Sequence, residues 1–483
     1  MMGLENAAGI PRSSPLGRAP AFALLINFSL AVFLAEDVGF PFWAAAVLSV
    51  TAAAGWFFIG TERPPKSSLP VVAALLAFSL AGMSAIYRGI SQAEIPPGKV
   101  DATGVVISER KWGWRRIAVV RTGVRRFVVR YGGGASPGDI VRFSGRLEPF
   151  KRSGANREFD EFKYWKAKGT SAAVDANRFE VVGRSEGIAF RRDALAKRIK
   201  NRLPRLTAGY IAAAWVGERD DELNNFHRNA GTSHLLVVSG LHVGIVAAIC
   251  MAVTRRLPFR FFIASAVMWF YALLSGAAPS SVRAALMIQT AIIGRASGQR
   301  SGAFNGVSAA AALMLAYNPR LFWDMGWRLS VLSVLTLASV QSLGVGPSAK
   351  WLAASPAVWL ITSVQSAWTF GAVPLAGAVI NFFAVPVFSI LLPAASLLAV
   401  PSLAGADAGR YAAMWAESAF LAWERFSDNM TRLIPWSTDF SPPLMFSGAA
   451  SAIFLFARAC GFSNASAAAA LGFNMLLFAL YNL

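Results

Sequence analysis

Apolar runs long enough to cross a bilayer fill most of this chain, but residues 95–186 contain none. A hydrocarbon core about 30 Å thick takes roughly 20 helical residues, and runs near 19–35, 41–60 and 69–87 approach that length. Others lie near 206–217, 233–253, 258–276, 280–295, 303–317, 329–345, 364–383, 384–404, 443–459 and 465–482. Hydrocarbon offers no water to satisfy backbone groups, so such runs read as helices. Composition points the same way. Of 483 residues, 55% are hydrophobic and 15% charged, against about 45–50% and 25% in soluble domains. A disordered, collagen-like or ordinary cytosolic multi-domain chain is excluded. The expected fold is a polytopic α-helical membrane protein with a small soluble β-barrel inserted in it.

The first run follows Arg12 and Arg18, as the core of a signal peptide would. Further runs follow at once, so it reads as a retained span. Glu36 and Asp37 fall in the first turn, Arg63 and Lys66 in the second. By the positive-inside rule the N-terminus is cytoplasmic and residues 95–186 are extracytoplasmic. The expected blocks are a three-span segment over 1–90, the soluble domain over 95–186, an interfacial amphipathic helix over 187–204 and a polytopic domain over 205–483. No internal repeat is evident.

The soluble block has short alternating segments at Val100–Ile107, Arg116–Val120, Arg125–Tyr131 and Ile140–Leu147, separated by glycine-rich turns. They predict strands, and their number and spacing suit a barrel of OB-fold size. The chain carries 46 Lys and Arg against 26 Asp and Glu, a net charge of +20. Between Lys99 and Arg184 there are 19 basic and 9 acidic residues, so half of that excess sits in this block. Arg110, Lys111, Arg115, Arg116, Arg121, Arg125, Arg126 and Arg130 alternate with Trp112, Trp114, Phe127 and Tyr131. Cations along a groove with aromatic platforms between them are what single-stranded nucleic acid requires. A solvated basic barrel with an aromatic core, or a face on anionic lipid, explains the same residues.

The second block begins with a basic amphipathic stretch, Phe190–Leu203, suited to an interface. Pro374, Pro386 and Pro393 interrupt later runs, and interruptions of this kind line cavities. His227, His234 and His242 are the chain's three histidines. On one continuous helix Ser239 lies about 140° and His242 about 80° from His234, so the three share a side. Ionisable groups in a bilayer face a bundle interior or an aqueous path, and the spacing Gly240-x-x-x-Gly244 permits a close neighbour. Ser280 and Arg283 open a further run, where Arg283 either snorkels to an interface or points inward. Asp324 and Arg328 stand four apart, where an ion pair satisfies both. Gln341, Gln365 and Asn381 are polar groups within apolar runs. Cys250 and Cys460 read as buried small hydrophobes, and neither a metal site nor a cofactor is expected.

The segment Thr232-Ser-His-Leu-Leu-Val-Val-Ser-Gly-Leu-His-Val-Gly244 resembles the signature of the ComEC/Rec2 family of competence proteins. Gly217-Glu-Arg-Asp-Asp-Glu-Leu and Phe226-His-Arg-Asn-Ala-Gly231 are similar to its lead-in. Pro279-Ser-Ser-Val-Arg-Ala-Ala-Leu-Met287, Gly326-Trp-Arg-Leu-Ser330 and Asn381-Phe-Phe-Ala-Val-Pro-Val-Phe-Ser-Ile-Leu-Leu-Pro393 resemble later blocks in the same order. The resemblance covers nearly the whole chain.

What it implies is an inner-membrane channel that takes up single-stranded DNA in natural transformation. The basic block would be an OB-like DNA-binding module. His234, Ser239, His242 and Arg283 fall on matching positions, and with Gly240, Gly244, Ser280, Arg328 and Asn381 they would line the DNA path. Implied partners are single-stranded DNA, the lipid bilayer, a DNA receptor, a cytoplasmic translocation ATPase, single-strand-binding proteins and a second copy of the chain. Many members end in a metallo-β-lactamase-like domain, whose His-x-His-x-Asp-His cluster three histidines cannot supply. The expectation is therefore a form without that domain, not an enzyme, with degradation left to a separate nuclease. Arg328 stands where the family usually has glutamine. A coupled transporter of a small anion would also use the histidines, and Ser239 beside a histidine admits an intramembrane hydrolase.

Overall fold

The computed structural model describes residues 19–36, 82–88, 95–112, 115–153, 159–218, 220–238, 240–296, 302–406 and 409–461. The runs expected at 41–60 and 465–482, most of 69–87, and the charges Asp37, Arg63 and Lys66 lie outside the described residues. Among the described residues, one compact unit is drawn from Met1–Gln92, Leu286–Ala372 and Asp439–Leu483, and a second from Ala93–Ala285 and Val373–Thr438.

Helix α1 (Pro20–Glu36) precedes strands β1 (Gly98–Trp112), β2 (Arg115–Thr122), β3 (Arg125–Tyr131) and β4 (Asp139–Glu148). A short helix α2 (Glu161–Ala167) and a fifth strand β5 (Ala172–Arg184) complete the β-domain. The strands close into a barrel in the order β1-β2-β3-β5-β4, with β3 and β5 parallel and the other pairs antiparallel. Successive side chains point to opposite faces of a strand. Val106, Val120, Phe127, Val129, Val141, Phe143 and Val174 therefore meet inside.

Sequence periodicity missed β5 and α2, and packing explains both. The outward Ile117, Val128 and Ala173 are buried beneath Phe162 and Trp165 of α2, so β3 and β5 are apolar on two faces there and do not alternate. Asp160 caps α2 by accepting from the Lys163 amide at 2.8 Å, which fixes where the helix starts.

The chain continues through α3 (Ile188–Arg202), α4 (Arg205–Val216), α5 (Asp221–Asn229), a 3-10 turn (Ser233–Leu236), α6 (Gly240–Val253) and α7 (Arg260–Leu274). It then runs through α8 (Pro279–Ala296), α9 (Ala303–Tyr317), α10 (Met325–Ser342), α11 (Pro347–Phe370), α12 (Ala376–Ala404), α13 (Gly409–Leu433) and α14 (Pro442–Ala459). In the second unit Tyr210, Leu223, Leu236, Ile380, Phe388, Phe420 and Trp423 form a core drawn from α4, α5, the 3-10 turn, α12 and α13. In the first unit Phe22, Phe304 and Phe456 cluster with ring centroids 4.9–6.0 Å apart.

Among the described residues, helices α12 and α14 are long and apolar enough to cross a membrane, by length and composition, and four apolar helices of 10–17 residues accompany them. Two spans were expected at 364–383 and 384–404, and this is corrected. Helix α11 ends at Phe370, Gly371 turns the chain at φ +90°, and α12 runs unbroken through Pro386, Pro393 and Pro401. Each proline removes one backbone donor. Ile380, Ala384, Phe388, Leu392, Ala395 and Ala399 nevertheless form one buried stripe, and the prolines stand off it. Packing along the stripe outweighs the lost bonds.

Candidate functional site

On the barrel, chemistry separates the cations into two sets. The ion pairs among its described residues are Arg116–Glu109, Arg130–Glu161, Arg130–Asp175, Arg142–Asp101, Arg178–Glu180 and Arg184–Asp139. None of them includes Arg110, Lys111, Arg121, Arg125 or Arg126, all of which are exposed. Arg121 and Arg126 stand directly opposite each other across β2 and β3. Arg125 follows the turn whose tip, Val124, is 99% exposed. Like charges in register oppose folding slightly, so this hairpin carries positive charge that the barrel itself does not neutralise.

Phe127, Tyr131, Arg116 and Arg130 serve the fold. Phe127 and Tyr131 are corrected as base-stacking platforms: strand alternation turns both inward, leaving them 6% and 3% exposed. Tyr131 stacks on Phe179 at 3.7 Å and donates to Glu109 at 2.9 Å. Burial, with that bond, pushes its hydroxyl well above the usual tyrosine range. Arg116 also binds Glu109, at 2.9 Å. Arg130 holds α2 through Glu161. Gly113, Trp114 and the side chains of Trp112 and Arg115 lie outside the described residues.

In the helical part, the reading of 232–244 as one helix is corrected. A 3-10 turn covers Ser233–Leu236, Val237 is extended at φ −99° and ψ 135°, and α6 starts only at Gly240. Two β-branched valines before a glycine favour that break. His234 therefore lies on the turn, exposed, and His242 on the next helix, 7% exposed. Ser239 lies outside the described residues. The break is held by Ser280, whose hydroxyl donates to the Val238 carbonyl at 2.6 Å.

Arg283 is 2% exposed, so it does not snorkel. A Cβ placed on Gly240 would lie 3.3 Å from Ala284 Cβ and 3.5 Å from Arg283 Nη2. Gly240 is thus where α6 and α8 approach. Gly244 is not, because a Cβ there meets nothing within 4 Å. The small-residue pair is corrected to a single contact.

Asn381 belongs to the same unit and donates to the Gly231 carbonyl at 3.4 Å. Gly231 (φ +69°) meets Gly377 of α12 so closely that its Cβ would lie 3.0 Å from the facing Cα. Arg328, in the first unit, donates to the Phe322 carbonyl and to Gln365 Oε1, the latter at 3.1 Å. Its guanidinium covers the Trp323 ring at 4.7 Å. Asp324 caps α10, accepting from Trp327 N at 2.8 Å. Among the described residues no three His, Cys, Asp or Glu side chains are placed to hold a metal.

Residues 216–462 match the family described as Competence protein, just over half of the chain. The chain belongs to the competence protein family. Over 205 residues it is 28% identical to ComE operon protein 3 of Bacillus subtilis (strain 168), which covers 40% of this chain and 26% of that protein. Over 253 residues it is 28% identical to Competence protein ComA of Neisseria gonorrhoeae, 48% of this chain and 34% of that one. The chain thus spans about a quarter to a third of the length of the curated relatives it matches. No solved structure matches it.

One group in this competence protein escaped the sequence reading. His227, fully buried, joins Tyr210 Oη at 2.6 Å through Nε2 and Thr232 Oγ1 at 2.7 Å through Nδ1. The hydroxyl of Thr232 reaches back to the His227 carbonyl at 3.5 Å. This chain ties α4 and α5 to the turn on which the signature begins. Its only sequence signal is a histidine on the apolar face of α5, beside Leu223. Glu36, read above as a loop charge, is likewise engaged, with Arg320 at 3.3 Å and Trp323 at 2.9 Å.

Proposed function

We propose that this competence protein is a multi-pass inner-membrane conduit that carries one strand of DNA to the cytoplasm in natural transformation. The observation that carries the reading is the family match over 216–462, since ComA is named as a competence protein. The barrel adds support. Its strand order and size suit an OB-like module, a fold that binds single strands through cationic grooves, and Arg110, Lys111, Arg121, Arg125 and Arg126 leave it with unneutralised charge. In this reading residues 95–186 face outward and receive the strand, α3 lies along the interface, and the helical part forms the path.

A polyanion in a low-dielectric layer needs polar, positive surroundings. Arg283 at the broken signature, with Ser280, His234, Ser239, His242 and Asn381, supplies them in this reading, and Arg328 is proposed to contact the strand separately, in the first unit. A DNA receptor, a translocation ATPase and single-strand-binding proteins are the partners proposed with this role. The test is deletion followed by transformation with labelled duplex DNA. Label is expected to stay outside, accessible to nuclease, and recombinants to be lost unless the gene is restored. Recombinants at wild-type frequency would overturn the proposal.

A further inference from the structure

Between α7 and α8 the chain turns through Ser275, Gly276, Ala277 and Ala278, with two consecutive left-handed residues. Gly276 has φ +93°, and Ala277, at φ +53°, is the one non-glycine residue with positive φ among the described residues. A side chain with a Cβ is strained there. Both residues are exposed, and a guanidinium lies against the first: a Cβ on Gly276 would come 2.7 Å from Arg192 Nη1.

Arg192 reaches in from α3, and its Nη2 donates to the Ile107 carbonyl, at the bulge of β1, at 3.5 Å. One long bond is little for a group with five N–H donors. The neighbouring carboxylates are already engaged, Asp193 with Lys197 at 2.7 Å and Glu218 with Lys200 at 2.6 Å. Burial lowers the pKa of Arg192; Glu218 opposes that, the nearby Arg110 adds to it and Asp193 opposes it. A half-buried cation with a second cation nearby, and with its acidic neighbours paired elsewhere, favours an anionic ligand.

We propose that Arg192, with Arg110 beside it, seats a backbone phosphate of a single DNA strand where β1 of the barrel meets the 275–278 loop. This rests on the DNA-uptake function proposed above. The seat would hand the strand from barrel to helices, and Gly276 leaves room for the Arg192 guanidinium to lie against the loop.

The test uses the whole chain in lipid nanodiscs and a fluorescent oligothymidylate, with Kd measured across a salt series. Asn and Asp both accept left-handed backbone, so Ala277→Asn and Ala277→Asp leave the loop intact while only the second adds a negative charge beside the seat. Ala277→Asn is expected to bind as wild type, and Ala277→Asp about fivefold more weakly at low salt. Arg192→Gln is expected to reduce the salt slope by about 0.7, one phosphate contact, and Arg192→Lys to keep it. If Ala277→Asp binds as Ala277→Asn does, the seat is overturned while the function proposed for the chain stands. A wild-type chain that does not bind the strand overturns both.

Discussion

The barrel and the helices of the same unit hold their arginines in opposite ways. On the β2–β3 hairpin Arg121 and Arg126 face each other in water, whereas Arg283 is 2% exposed and lies against Gly240. A hydrated cation costs little to keep and acts through a field screened over about 8–10 Å. A buried cation has lost its hydration and depends on the geometry around it. The first arrangement should lose function gradually as charges are removed. The second should fail at a single bulky substitution.

The largest effect is therefore expected at the α6–α8 contact. Gly240→Leu should lower transformation about a hundredfold, because it drives α8 and Arg283 out of place. Gly240→Ala should be milder, since its Cβ meets Ala284 Cβ at 3.3 Å and needs a shift of only tenths of an ångström. Gly244→Leu should behave as wild type, having nothing within 4 Å of its Cβ. Transformants are counted alongside an immunoblot of membrane-inserted protein. Equal losses at Gly240 and Gly244 would break the comparison.

A second effect separates scaffold from path. His227→Ala leaves the hydroxyls of Tyr210 and Thr232 buried without their partner, and should cost about 2–4 kcal/mol in chemical denaturation. Burial lowers the pKa of His227 to about 3 on this short polar helix, against about 6.5 in an unfolded chain. The unfolded state therefore binds the proton first, and the stability that His227 contributes is lost as pH falls from about 6.5 toward 3. The gap between wild type and His227→Ala should narrow from pH 7 to pH 4. A gap independent of pH would refute the buried neutral imidazole.

What the sequence revealed follows the same division. Strands β1 to β4 were legible because short runs rich in β-branched residues end at charged or glycine-rich turns, and in β1 and β4 a wet face also writes the period of two into the residues. The start of strand β5, Ala172 to Val174, was hidden by two-sided burial, and α2 by being only 7 residues long. The broken signature was hidden for a related reason. Val237, Val238 and Gly240 favour a break without fixing where it falls, and only the Ser280 bond to Val238, 42 residues away, shows how the break is held. Arg283 could be named but not placed, because snorkelling and burial share one pattern. The cationic hairpin was legible as charge, yet only the ion pairs of Arg116 and Arg130 tell which arginines remain unneutralised.

That last distinction gives the smallest expected effect. Replacing Arg121, Arg125 and Arg126 together by Gln removes exposed charge that no described carboxylate holds. Each lost phosphate contact lowers the salt slope of single-strand binding by about 0.7, so the triple variant should lose up to about 2. Its melting temperature should hold or rise slightly, because a like-charge pair in register is relieved. Arg130→Gln should do the reverse. It frees Glu161 and Asp175 from the arginine that fastens α2, so stability should fall by about 1 kcal/mol while the slope stays. If Arg130→Gln changes the slope as much as one hairpin arginine does, partnered and unpartnered cations contribute alike. The charge would then act as a diffuse field over the whole barrel, and the hairpin would hold no special place in it.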